Sequence, residues 1–142
     1  MSSDPQRVLL YGLGITNAAV AAALVAVTAG EAECVKVFSA DDAMFRGHFP
    51  DNPVVPGVIL VEALSQTAGI AGAWGSEHRK FLLSAIRQMK FPAAARPEEQ
   101  ISLHARNIGT IGRLWMFDVR AEVSGTTVAT GQIVLNEVQT SA

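Results

Sequence analysis

The sequence predicts an α+β fold in which one buried helix packs against a curved antiparallel sheet. A nearly uninterrupted run of small and branched apolar residues follows Gly57, which indicates a helix with almost no polar face. Four strand-like runs come after it without intervening helices, and successive strands of this kind form antiparallel sheets. One early helix followed by a long meander therefore favours a curved sheet wrapped around that helix.

Length and composition narrow the class of protein. The chain has 142 residues, the length of a single domain with a buried core, so we expect one domain over residues 1–142. Its residues are 49% apolar and its net charge is −2, which predicts neither nucleic-acid nor membrane binding. The single cysteine, Cys34, cannot form an internal disulfide, which fits a reducing cytoplasm, and we expect it to be a small buried residue of a strand.

The N-terminal part has the weakest pattern. Residues 1–7 are polar and lack the apolar core of a signal peptide, so we expect them to be flexible. Residues 8–27 are apolar, but glycines and polar residues interrupt them well short of the roughly 20 residues that a membrane span needs. Thr16-Asn17 can cap a short helix, while Val20–Thr28 equally fits a strand.

Period-two alternation and turn residues mark the other strands. Alternation over Glu31–Phe38 indicates a half-buried strand, which a turn through Ala29-Gly30-Glu31 joins to Val20–Thr28 as a hairpin. The predicted strands after the helix are Phe81–Phe91, Gln100–Ile108, Leu114–Val123 and Thr127–Asn136.

Glu62 and Gln66 interrupt the apolar helix. They lie four residues apart, so they share one helix face, and the Gln66 amide can orient the Glu62 carboxyl. Desolvation in this apolar setting is expected to raise the pKa of Glu62, which favours a neutral acid able to donate a proton near pH 7. The alternative is a carboxylate that reaches solvent from the first turn and is stabilised by the helix dipole.

His48 lies in a loop that leads directly into the helix. Pro50, Pro53 and Pro56 restrict the loop backbone, so we expect them to hold His48 in place. Histidine is the usual general base near neutral pH, although a lone loop histidine is more often structural or exposed. The helix start at Pro56-Gly57-Val58 leaves N–H groups free for an oxyanion. Proton transfer beside a carbonyl requires this combination of acid, base and oxyanion donor.

The spacing of these residues resembles the signature of a known family. The run Gly47-His48-Phe49-Pro50 is followed by Asn52-Pro53-Val54-Val55-Pro56-Gly57-Val58, and then by Glu62-Ala63-Leu64 and Gln66. This pattern resembles that of the (3R)-hydroxyacyl-[acyl carrier protein] dehydratases of the FabZ type, and it implies their hotdog fold. The resemblance extends over about residues 38–135. Two features depart from it: the family's N-terminal Pro-His-Arg-type motif is missing, and Pro92-Ala93 replaces a basic pair.

The resemblance also implies a reaction and the residues that perform it. His48 would remove the proton α to a thioester carbonyl, and protonated Glu62 would donate to the departing β-hydroxyl, giving water and a trans-2-enoyl thioester. The N–H of Gly57, with that of Val58, would bind the thioester oxygen. The substrate-binding residues implied are Phe49, Pro56, Gly57, Val58 and Gln66. No metal or redox cofactor is implied.

The implied partners are an acyl carrier protein, with its phosphopantetheine-linked acyl chain, and further subunits. In relatives the His and Glu of one site come from different subunits, so we expect a homodimer or an oligomer of dimers, with a heterodimer as an alternative. Carrier proteins are acidic, and the segment between His78 and Pro97 carries five basic residues and no acidic one. A docking patch and a solvated charged face explain them equally well. These residues are Arg79, Lys80, Arg87, Lys90 and Arg96.

The implied pathway is fatty acid or polyketide biosynthesis, and two other functions stay open on the same fold. One is a non-catalytic or partner-dependent subunit that binds acyl chains. The other is an acyl thioesterase, in which a carboxylate would activate water. The pairing of His48 with Glu62 fits dehydration better than hydrolysis.

Overall fold

The computed structural model describes residues 22–76 and 78–138, and within them the chain forms six strands and one α-helix. The predictions for residues 1–21, including the flexible leader and the helix cap at Thr16-Asn17, lie outside the described residues. The sheet is antiparallel throughout, in the order β1-β2-β4-β5-β6-β3. The elements are β1 (Ala23–Thr28), β2 (Glu31–Val37), α1 (Gly57–Ala73), β3 (Lys80–Lys90), β4 (Gln100–Ile111), β5 (Leu114–Val123) and β6 (Thr126–Val138).

β1 and β2 form the predicted hairpin. Thr28 pairs with Glu31 across Ala29-Gly30, and Gly30 has a φ of +80°, which glycine adopts without steric cost. Of the two alternatives for Val20–Thr28, the strand is therefore confirmed from Ala23 onward.

The three C-terminal strands form a meander joined by two tight turns. Gly112-Arg113 connects β4 to β5, and Ser124-Gly125 connects β5 to β6 between the two predicted strands. β4 continues to Ile111, three residues beyond the predicted end. A bulge at Asn107–Gly109 interrupts the pairing of β4 with β5, and the pairing resumes after the bulge.

Helix α1 lies on one face of the sheet and contacts all six strands. A six-stranded sheet is about 24 Å wide, whereas a helix is about 10 Å across, so the sheet must curve around α1. The predicted buried helix in a curved antiparallel sheet is thus confirmed. The fully buried side chains between helix and sheet include Leu64, Phe81, Ile101, Leu103, Phe117, Ile133 and Leu135.

The C-terminal part of α1 approaches the sheet closely at Gly72. A Cβ atom at this position would lie 2.8 Å from Cζ of Phe81 and 3.3 Å from Cζ of Phe117. Trp74 follows the helix with an extended backbone, and Gly75 then has a φ of +80°, which ends the helix.

Within the described residues, both edge strands of the sheet are irregular. β1 has a register shift between Leu24 and Ala26. β3 has two, between Leu83 and Ala85 and again between Arg87 and Lys90. Inside the second bulge Gln88 has a φ of +52°, and Gly131 of β6 faces it: a Cβ on that glycine would lie 2.8 Å from Cα of Met89.

Candidate active site

The candidate acid lies in the second turn of α1. Glu62 is half-buried, whereas Gln66 is 6% exposed. Gln66 Nε2 donates a hydrogen bond of 3.1 Å to Oε1 of Glu62, so the predicted contact between the two side chains is present. The bond fixes one carboxyl oxygen on the helix face and leaves the other oxygen available to a substrate.

The first turn of α1 presents backbone donors. The Pro56 carbonyl accepts from the N–H groups of Ile59 and Leu60, at 3.0 and 3.2 Å. Among the described residues no acceptor meets the N–H groups of Gly57 and Val58, and no side chain caps the helix. These two donors also lie at the positive end of the helix dipole, which suits an oxygen that gains negative charge.

An aromatic ring covers the same helix start. A Cβ on Gly57 would lie 3.0 Å from Cζ of Phe91, so the Phe91 ring rests directly on the glycine. Glycine permits this close approach because it has no side chain. The sequence placed Phe91 at the end of a strand but gave it no role at the site, because the residue is distant in the chain from the helix it covers.

The loop with the candidate base follows a single 3₁₀ turn, Ala43–Arg46. His48 and Phe49 are both exposed in one subunit. Phe49 has a φ of +56°, a left-handed conformation that is strained for an aromatic residue, and its carbonyl accepts from the N–H of Asn52 at 2.8 Å.

A single subunit brings together only part of the predicted site. Glu62, Gln66 and Gly57 share the N-terminal half of α1, and His48 lies on the loop before it. No hydrogen bond joins His48 to Glu62 within the described part of the chain. The candidate base is therefore accessible to a neighbouring molecule, while the candidate acid is partly enclosed by its own subunit.

The five basic candidates for carrier contact are not equivalent. Lys80, Arg87 and Lys90 are exposed on the edge strand β3. Arg79 is instead engaged inside the subunit: its Nη1 donates to the Gly72 carbonyl at 2.8 Å, which satisfies a carbonyl at the helix end.

The guanidinium of Arg79 has two further partners. Its Nε is 3.1 Å from Oε1 of Glu137, and its central carbon lies 4.8 Å from the centroid of the Trp115 ring. Trp115 Nε1 donates to the other Glu137 oxygen at 3.3 Å. This role of Arg79 could not be predicted from the sequence, because Trp115 and Glu137 lie 36 and 58 positions further along the chain.

Arg96 is exposed, and its guanidinium donates to Oδ1 of Asn52 in the loop that contains His48. Asn52 belongs to the family-like motif, but the sequence assigned it no function. Asparagine is common in turns of several kinds, so only its partner reveals what it does.

Cys34 is fully buried in β2, as predicted. Burial raises the pKa of its thiol from 9.0 to about 11; a hydrogen bond with Thr67 opposes this shift and the charge of Glu33 adds to it. A thiol that stays protonated at neutral pH is a poor nucleophile, so Cys34 is a packing residue.

In the described ranges, no group of three or more His, Cys, Asp or Glu side chains is arranged to hold a metal ion. No helix there has the length and apolar character needed to cross a membrane.

Comparison with known proteins identifies the family of this chain. A family described as ApeI-like, ApeI dehydratase, matches residues 25–132. Two curated 3-hydroxyacyl-[acyl-carrier-protein] dehydratases FabZ align over 103 residues, 70% of this chain and 68% of each relative. The protein from Nitrobacter hamburgensis is 35% identical and that from a Bradyrhizobium species 38%.

A solved structure extends the comparison to the fold. The dehydratase heterocomplex ApeI:P from Xenorhabdus doucetiae contains a chain that is similar with a TM-score of 0.75 at 15% identity, over 92% of this chain and 91% of that one. At this identity the similarity concerns the fold alone. Together with the curved sheet around α1, it confirms the hotdog fold that the sequence resemblance implied.

Proposed function

The chain belongs to the ApeI-like dehydratase family, and on that premise we propose that it dehydrates a (3R)-3-hydroxyacyl thioester held by an acyl carrier protein. The product is a trans-2-enoyl thioester for fatty acid or polyketide biosynthesis. The free thiol of Cys34 supports a reducing, cytoplasmic location.

The proposed reaction needs one base and one acid. His48 takes the proton from C2, and the electron pair of that C–H bond becomes the C2=C3 double bond as the C3–O bond breaks. Protonated Glu62 gives its proton to the departing hydroxyl, which leaves as water. Proton exchange with solvent then restores both side chains.

Binding of the thioester completes the proposal. The N–H groups of Gly57 and Val58 would hold the carbonyl oxygen as it gains negative charge, and their lack of an acceptor among the described residues supports this role. The observation that carries the proposal is the 3.1 Å bond from Gln66 to Glu62, because it fixes the acid on the same helix that presents these donors. Phe49 and Pro56 border the site from the loop.

We further propose that the active unit is a dimer in which His48 of one subunit serves Glu62 of the other. The exposure of His48 and its lack of a bond to Glu62 support this arrangement. Apolar surface on the His48 loop and at the start of α1 offers an area to bury, including Val58 at 75% exposed and Phe49 at 66%. A homodimer is the simpler form, and the heterocomplex of the Xenorhabdus protein makes a heterodimer the second candidate.

Docking of the acidic carrier is assigned to the exposed cations of β3, Lys80, Arg87 and Lys90. Arg79 is less suited to this role, since its guanidinium is already bonded to Glu137 and to the helix end. The charge of Arg96 keeps it a candidate for carrier docking, although its guanidinium is also bonded to Asn52.

The test is the conversion of a 3-hydroxyacyl carrier-protein thioester to the enoyl product by the purified chain, with His48→Ala and Glu62→Gln beside it. We expect each variant to lose about a hundredfold or more in kcat, the scale of a lost general acid or base. His78→Ala and Glu122→Gln are matched controls: His78 is exposed, and Glu122 pairs with Arg120 on the sheet.

Two outcomes would contradict the proposal, and a third would decide between its two forms of dimer. Unchanged activity in the His48 and Glu62 variants would reject the residue roles. Release of free thiol without enoyl product would indicate a thioesterase. No turnover by the unmutated chain alone, restored by a second hotdog subunit, would favour the heterodimer.

A further inference from the structure

A short segment between β3 and β4 clasps the loop that contains His48. This segment, Ala95–Glu99, is called the clasp here. At one end the Val55 N–H donates to the Ala95 carbonyl at 2.8 Å, and the Arg96 guanidinium bonds to Oδ1 of Asn52. These two bonds hold the C-terminal side of the loop.

The other end of the clasp holds the N-terminal side. The Glu98 N–H donates to the Phe38 carbonyl at 2.8 Å, and the Glu98 carboxylate accepts from the Ala40 N–H at 2.7 Å. The clasp therefore holds the chain on both sides of residues 41–51, the stretch that contains His48.

The clasp has a defined shape of its own. Ala95 is fully buried, and the Arg96 N–H donates to Oε1 of Glu99 at 2.6 Å. Glu98 has a φ of +65°, a conformation rare for a residue with a side chain, and this turn allows both its N–H and its carboxylate to meet residues 38–40. A costly backbone conformation persists only where surrounding contacts fix it.

A continuous series of contacts leads from the clasp to the candidate base. Arg96 bonds to the Asn52 side chain, the Asn52 N–H donates to the Phe49 carbonyl, and Phe49, itself at a φ of +56°, adjoins His48. His48 has no hydrogen bond of its own among the described residues, so the backbone of this loop sets the position from which its imidazole extends.

We infer that Arg96 is a positioning residue for His48, acting through Asn52 to hold the strained loop in its productive conformation. This inference rests on the proposed function, in which His48 is the base. A misplacement of a reacting group by about 1 Å can cost a hundredfold in rate, so a bond distant from the substrate can still control kcat.

Positioning of His48 by Arg96 can be distinguished by experiment from carrier docking, the other role that the charge of Arg96 allows. A docking residue affects KM for the carrier-bound substrate and has no effect on a 3-hydroxyacyl pantetheine thioester, which lacks the carrier. A positioning residue affects kcat on both substrates. The pantetheine substrate therefore separates the two roles.

The experiment measures kcat and KM on both substrates for Arg96→Ala, Asn52→Ala, the double variant and Arg96→Lys. We expect Arg96→Ala to lower kcat about tenfold or more on both, with KM for the pantetheine substrate nearly unchanged. The double variant should be no slower than the slower single variant, because both changes break one bond. Arg96→Lys keeps a donor and should recover part of the rate.

Arg113→Ala is the matched control. Arg113 is an exposed cation in the β4–β5 turn, so its replacement changes the net charge equally and should leave kcat unaltered. Melting curves of all variants identify any that fail to fold. An unchanged kcat in folded Arg96→Ala, or a rise in KM confined to the carrier-bound substrate, would overturn the inference.

A second readout does not depend on turnover. The NMR signals of the His48 imidazole should move toward those of a free histidine in Arg96→Ala and stay in place in Arg113→Ala. If the unmutated chain has no activity but His48 responds in this way, the proposed function fails and the positioning stands. If the chain is active and neither kcat nor the His48 signals respond, the positioning alone fails.

Discussion

At the scale of single residues, the thiol of Cys34 links folding to pH. Its pKa in the folded chain is about 11, compared with 9.0 ordinarily, mainly because of burial. Between these values the unfolded chain ionises and the folded chain does not, so rising pH stabilises the unfolded state. We expect this contribution to stability to be complete below about pH 9 and to fall by up to about 1.4 kcal/mol per pH unit from there to about pH 11.

Urea unfolding at a series of pH values checks this prediction, with Cys34→Ala as the control. The variant is expected to be less stable at every pH, because it leaves a small cavity against Thr67. Its free energy of unfolding should nevertheless decline less steeply above pH 9 than that of the unmutated chain. Equal slopes in the two proteins would mean that the buried thiol does not control this transition.

At the scale of elements, the approach of α1 to the sheet depends on Gly72. Alanine would improve helix propensity by about 1 kcal/mol, but its Cβ would lie 2.8 Å from Cζ of Phe81. That ring cannot move easily, because it is fully buried and packs edge-on against Trp115 with centroids 5.4 Å apart. We therefore expect Gly72→Ala to destabilise the fold by about 1–2 kcal/mol net, measured by thermal unfolding.

Gly109→Ala provides the comparison for this prediction. Gly109 lies at the bulge of β4, where an added Cβ would meet no atom within 4 Å, so its replacement tests the loss of glycine alone. A Gly72→Ala variant that is as stable as the original chain would show that the helix shifts to accommodate the methyl group.

At the scale of the whole molecule, a site shared between subunits can be tested by mixing two inactive variants. If His48 of one subunit serves Glu62 of the other, a mixed dimer of His48→Ala and Glu62→Gln chains contains one intact site. Random exchange of equal amounts should then restore about a quarter of the original activity. If both residues of a site come from one chain, every site stays defective and the mixture remains inactive.

Much of the whole fold followed from patterns that are local in sequence. The apolar run after Gly57, the alternation in β2 and the turn residues between the later strands identified the elements. The short Ala- and Val-rich stretch that contains β1 has neither period, so its sequence left helix and strand open. The extension of β4 past Ile108 escaped prediction, since a bulge needs a pairing partner before it can be recognised.

In the candidate site, too, contacts between residues close in the sequence were predictable, and contacts between distant residues were not. The spacing of Glu62 and Gln66 predicted their hydrogen bond, because helix geometry converts a separation of four into a contact. The contact of Arg96 with Asn52 joins residues 44 positions apart, and nothing in either local sequence identifies the other. Long-range polar contacts of this kind appear only once the chain has folded.

The irregular edges of the sheet also affect how readily the chain aggregates. An unpaired edge strand is a template for amyloid-like stacking, which needs a long row of regularly spaced backbone donors and acceptors. Two bulges divide β3 into short regular stretches, one bulge divides β1, and Lys80 and Lys90 place charge at both ends of β3. These interruptions shorten the regular stretches with which another chain could pair, and they therefore oppose open-ended aggregation through the sheet edges.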